Sequence, residues 1–155
     1  MTSQPGLRLP ITGSFALPFT AYYIFLSARV VAARLKQGIA IGDQTPSPSS
    51  SFTTTTTSGG IHTTRDPLRL AARAQQNFAE YVPLALILAG TAELNGGAPH
   101  TLRAALSALL ACRVLHAELG IMAADAMGYG RPVGFYGTLG VMAWLGGWGA
   151  WLGLG

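Results

Sequence analysis

Charge is scarce in this chain: ten basic and six acidic residues leave only 10% of its 155 positions charged. So sparse a set, with half the residues apolar and a mean hydropathy of +0.38, excludes an ordinary soluble domain and points to a membrane protein. Cysteine occurs once, as Cys112 within an apolar run, which excludes a disulfide framework and reads as a small buried hydrophobe. Serine and cysteine hydrolase signatures and phosphate-cradling glycine loops are missing, and no metal is expected because no His or Cys cluster has ligand spacing. The formal charge of +4 resides on groups that flank apolar runs, so it reads as a topology signal and nucleic acid is not an expected partner. The first apolar run lacks a convincing cleavage site and ends in Arg29, Arg34 and Lys36, which favours a retained span over a secretory signal.

What the chain does have is apolar length. A spanning helix needs about 20 mostly apolar residues, and residues 14–35, 68–94, 102–122 and 132–152 qualify. The expected architecture is all-α: one integral membrane four-helix bundle occupying residues 1–155, in contact with the lipid bilayer. Residues 37–66 hold a Ser/Thr/Pro/Gly-rich stretch that cannot build a core and is expected as a low-complexity loop. Arg29, Arg34, Lys36, Arg65, Arg69, Arg73 and Arg131 gather at the first and third connections, which the positive-inside rule places in the cytosol. Residues 95–100 form a short Gly/Pro turn, so spans two and three are predicted to pair as an antiparallel hairpin. Pro83 predicts a kink in span two. In span four, Trp144, Trp148 and Trp151 read as interface anchors, and Gly134, Gly137 and Gly140, with Gly149 and Gly153, as rows for close helix approach.

Span two carries the most informative pattern. Arg73, Asn77, Glu80 and Leu84 recur at i, i+4, i+7 and i+11, which stacks three polar groups on one helical face. A charge at the bilayer centre costs about 2.5 to 3.5 kcal/mol, so this face is expected to turn into the bundle and to mark a site. Guanidinium, carboxamide and carboxylate together, with Gln75 and Tyr81 beside them, suit a zwitterion such as a small peptide. In span three, Arg113, His116 and Gly120 share a face. Arg113 lies midway along its span and is expected to pair with Glu80. His116 reads as a hydrogen-bonded packing residue before a general base. Arg34 and Arg131, at the cytosolic ends of spans one and four, either face a ligand or anchor headgroups, and the sequence alone favours anchoring.

The string Arg73-Ala-Gln75-x-Asn77-x-x-Glu80-Tyr81-x-Pro83-Leu resembles the signature of the MAPEG family, the membrane-associated proteins in eicosanoid and glutathione metabolism. Arg34, Arg113-Val-Leu-His116 and Arg131 also stand at family-like positions, so the resemblance covers nearly the whole chain outside the Ser/Thr-rich stretch. It implies a homotrimer that binds reduced glutathione as co-substrate between subunits near the cytosolic face. Arg34, Arg73, Gln75, Asn77, Glu80 and Tyr81 would be its ligands, Arg113 and His116 their support, and Arg131 the catalytic group that favours the thiolate. The implied activity is a transferase or peroxidase acting on lipophilic small-molecule electrophiles. The implied membrane is the endoplasmic reticulum in a eukaryote and the inner membrane in a bacterium. Synthase-type members carry tyrosines where this chain has His116 and Gly120, and an arginine where it has Leu35, so the resemblance is closer to the bacterial-type, glutathione-transferase-like branch than to leukotriene synthases. The alternatives are a non-catalytic trimeric binding or scaffold protein, and a small exporter coupled to protons through Glu80, against which the neighbouring Arg73 argues.

Overall fold

The computed structural model describes residues 8–39, 66–123 and 128–155, and every described element is helical: α1 (Pro10–Gln37), α2 (Pro67–Leu94), α3 (Pro99–Val114) and α4 (Gly130–Leu154). α3 continues without a break into a π-helical segment, Leu115–Ile121. The Ser/Thr-rich stretch expected as a loop lies almost wholly outside the described residues.

Helix boundaries follow local chemistry. Pro10, Pro67 and Pro99 each occupy a first helical position, where the missing N–H would have had no partner. Asp66 caps α2 by accepting from Leu68 N–H at 3.0 Å, and it accepts from Gln37 Nε2 at 2.9 Å, which ties the end of α1 to the start of α2. α1 ends at Gly38, whose φ of 67° only glycine adopts without strain; the turn lets Ile39 N–H reach the Arg34 carbonyl at 3.1 Å. The α1 N-terminus has no cap of its own. Glu93 near the end of α2 supplies one, accepting from Ile11 N–H at 2.7 Å and Thr12 N–H at 2.8 Å.

Two features differ from the sequence expectation. α2 packs mainly on α1 and α4 and only lightly on α3, although a short turn joins α2 to α3. Small residues explain it: a Cβ added at Gly149 would lie 3.6 Å from Ala92 of α2, while Gly130, Gly134 and Gly137 press on Cys112, Leu115, Leu119 and His116, so α4 lies close to both. Gly140, expected in that row, faces open space. The second difference concerns orientation. The buried stripe of α2 is Ala71, Ala74, Phe78, Val82, Ala85, Ala89 and Ala92, and its small side chains leave Arg73 and Glu80 exposed on the outer side. The polar face therefore opens away from the protomer's core. That core consists of Phe19 and Leu26 of α1, the α2 stripe, Leu102, Leu106 and Leu109 of α3, and Leu145 of α4.

By length and composition, α1 and the continuous helix Pro99–Ile121 are each able to cross a membrane. α2 is as long as α1 but is diluted by its polar first half, and α4 is a long helix rich in glycine and tryptophan.

Candidate functional site

A cleft of about 730 Å³ opens between the first half of α2, the π-helical segment and the start of α4. α2 contributes Arg69, Arg73, Asn77, Glu80 and Tyr81; the π-helical segment contributes His116 and Ile121; α4 contributes Arg131, Pro132, Phe135 and Tyr136. Three guanidiniums, one carboxylate and one imidazole thus border a single space, walled on one side by aromatic rings.

The wall is held from behind by Arg113. Its guanidinium is only 2% exposed and donates to the Asn77 carbonyl at 3.3 Å and the Gly134 carbonyl at 3.5 Å. It also lies 5.1 Å from the centroid of the Tyr81 ring, whose other neighbour is Phe135 at 6.1 Å, edge to face. The expected Arg113–Glu80 ion pair is therefore not formed. Glu80 stands on the exposed side of α2, whereas Arg113 approaches from the buried side, and its Nη1 and Nη2 donate to backbone carbonyls of α2 and α4. Thr138 Oγ1 donates to the same Gly134 carbonyl at 2.7 Å.

His116 is 5% exposed, and its Nδ1 lies 2.9 Å from the Arg131 carbonyl. A carbonyl only accepts, so Nδ1 carries a proton and donates it to this bond. The hydrogen bond fixes the start of α4, and with it Arg131, against the π-helical segment. Gly120 allows this approach: a Cβ there would fall 2.7 Å from Arg131 N. A tyrosine cannot occupy that position in this packing.

Of the residues singled out from sequence, Arg73, Asn77, Glu80, Tyr81, His116 and Arg131 share the cleft, and Arg113 sits directly behind it. Gln75 and Arg34 do not join them in one protomer. Gln75 is two residues beyond Arg73, about 200° around a helix, and its Nε2 donates to Tyr23 Oη at 3.2 Å and Ser27 Oγ at 3.3 Å on α1. Arg34 lines a separate hollow with Val31, Leu35, Gly38 and Ile39. Sequence reasoning missed Arg69, Phe135 and Tyr136. Arg69 precedes Arg73 by one turn, a spacing that was visible but read as a topology charge; Phe135 and Tyr136 follow Arg131 by about one turn and carried no other signal.

The sequence model of the MAPEG family matches residues 13–151, almost the entire chain. The chain belongs to the MAPEG family. No curated protein sequence matches it. Family membership and the two apolar helices make it an integral membrane protein, and the match includes every cleft residue from Arg69 to Tyr136.

Proposed function

We propose that this MAPEG protein is a membrane-bound glutathione-dependent transferase or peroxidase that acts on lipophilic electrophiles. The observation that carries the reading is the charge pattern of the cleft. The guanidiniums of Arg69, Arg73 and Arg131 stand beside the single carboxylate of Glu80, so the lining is rich in positive groups. Glutathione as its thiolate has two carboxylates, one ammonium and one sulfur anion, and so two negative charges in excess. Arg69 and Arg73 would hold carboxylates, Glu80 the ammonium, and Asn77 a peptide amide, while Arg131 at the opposite wall would face the sulfur. A guanidinium beside the sulfur favours loss of the thiol proton to water, and the thiolate then forms the new bond to the electrophilic carbon as the leaving group departs with its electron pair. Tyr81, Phe135 and Tyr136 offer an apolar wall for the electrophile.

Exposed charge on α2 supports self-association. Arg73 and Glu80 would otherwise border hydrocarbon at a cost of several kcal/mol, and a homotrimer would cover them with a neighbouring copy. Arg34, remote from its own cleft, would then belong to the site of an adjacent subunit. In this arrangement all four helices cross the bilayer, with the cleft toward the cytosol.

The test is steady-state conjugation of glutathione to a lipophilic aryl halide. Arg131→Ala is expected to lower kcat by on the order of a hundredfold while glutathione affinity changes by less than about fivefold. Equal turnover in the variant removes Arg131 from the chemistry. Binding without thiolate formation would instead support a second reading, a non-catalytic glutathione-binding scaffold.

A further inference from the structure

A second polar cluster lies outside the cleft, between α1 and the π-helical segment. Arg29 Nη1 and Glu118 Oε1 form an ion pair at 2.6 Å, and Tyr22 Oη donates to the same carboxylate oxygen at 3.0 Å. Tyr22, Phe25 and Arg29 occupy successive turns of one α1 face, with the Arg29 guanidinium 5.2 Å over the Phe25 ring and Tyr22 packed on Phe78 at 5.5 Å. Such a pair within apolar helices is unlike a surface salt bridge, because an isolated carboxylate in hydrocarbon is costly and screening is weak.

Its position gives it a task. The backbones of α1 and the π-helical segment make no close approach, and the long side chains of Tyr22, Arg29 and Glu118 bridge the gap between them. The segment is wound with bonds such as Met122 N–H to the Ala117 carbonyl at 2.9 Å, a wide geometry that tertiary contacts must hold in place. Glu118 and His116 are two residues apart and project to different sides: one to α1, the other to the cleft. On the cleft side, the His116–Arg131 hydrogen bond and the tight Gly120 and Gly134 contacts make the segment and the start of α4 move together.

We propose that Glu118 is a positioning residue for the cleft: gripped by Arg29 and Tyr22, it fixes the rotation of the π-helical segment and thereby the His116–Arg131 contact on its other side. The catalytic consequence rests on the glutathione reading above; the positioning itself does not.

The test uses the full chain in detergent with Glu118→Gln, the charge exchange Arg29→Glu/Glu118→Arg, and Tyr22→Phe. Nitrogen NMR of the imidazoles, with His116 assigned by its loss in His116→Gln, reads the tautomer. The wild type should hold His116 as the Nδ1–H form, and Glu118→Gln should convert it to a mixture. Conjugation kcat should fall by on the order of tenfold to a hundredfold with KM for glutathione changed by less than about threefold, as expected of sub-ångström misplacement. The charge exchange should restore both. A folded Glu118→Gln protein with wild-type tautomer ratio and kcat overturns the proposal. If neither charge variant folds, Tyr22→Phe decides: a shifted tautomer ratio supports the role and an unchanged one overturns it. Should the wild type conjugate nothing, the glutathione reading fails while the tautomer ratio still decides this one.

Discussion

Adding one methyl group at Gly134 is expected to be among the most damaging small changes in the molecule. Its Cβ would fall 2.7 Å from His116 N and closer still to the Cys112 carbonyl oxygen, where ordinary contact begins near 3.4 Å. Both neighbours are backbone, so no rotamer change relieves the clash, and α4 would have to move away by about 1 Å in a close-packed interior. Overpacking of this kind costs about 3 kcal/mol at the upper end of its usual range. For a chain of this length that corresponds to a Tm lower by roughly 6 to 12 °C. Gly140 is the control on the same helix, because nothing lies within 4 Å of its Cβ position. Gly140→Ala should stabilise by about 0.5 to 1 kcal/mol through reduced backbone entropy. Thermal unfolding of both variants in one detergent, followed by circular dichroism, compares them directly. If Gly134→Ala melts at or above the wild type, or the two variants shift alike, the close approach of α4 to the π-helical segment is wrong.

Other consequences are equally open to measurement. Glu93→Ala should cost about 1 to 2 kcal/mol by removing the acceptor for Ile11 and Thr12 N–H, and should speed hydrogen exchange at those two amides above other α1 sites. Arg73→Ala should weaken glutathione binding by at least about tenfold, whereas Gln75→Ala, which loses contacts to α1 alone, should change it by less than about threefold; calorimetry of the two variants separates cleft from scaffold.

The all-helical bundle and much of its cleft were legible because both rest on periodicity. Apolar runs of spanning length gave four helices, and Arg73, Asn77, Glu80 and Tyr81 at helical spacing gave one wall. Which way that wall faces was not legible. Sequence shows that polar residues share a face, but the choice of interior depends on neighbours, and the alanine stripe from Ala71 to Ala92 wins it by letting α1 and α4 approach closely. Partnership of charges failed for a related reason. Sign and adjacency of the helices match Arg113 to Glu80, yet its partners are the backbone carbonyls of Asn77 and Gly134, while Glu118, two residues beyond His116 and on another side of its helix, pairs with Arg29 of α1. Backbone acceptors and a π-helical change of register leave no mark in residue spacing.

The central claim is that the cleft of Arg69, Arg73, Glu80 and Arg131 holds glutathione and ionises its thiol. Titration of the purified protein with reduced glutathione, following heat and thiolate absorbance together, tests it most directly, with Arg73→Ala and Arg131→Ala as controls. Saturable heat accompanied by thiolate absorbance, the first lost in Arg73→Ala and the second in Arg131→Ala, is the expected result. Absence of saturable heat in the wild type would contradict the account and leave those charges as a polar interface between helices.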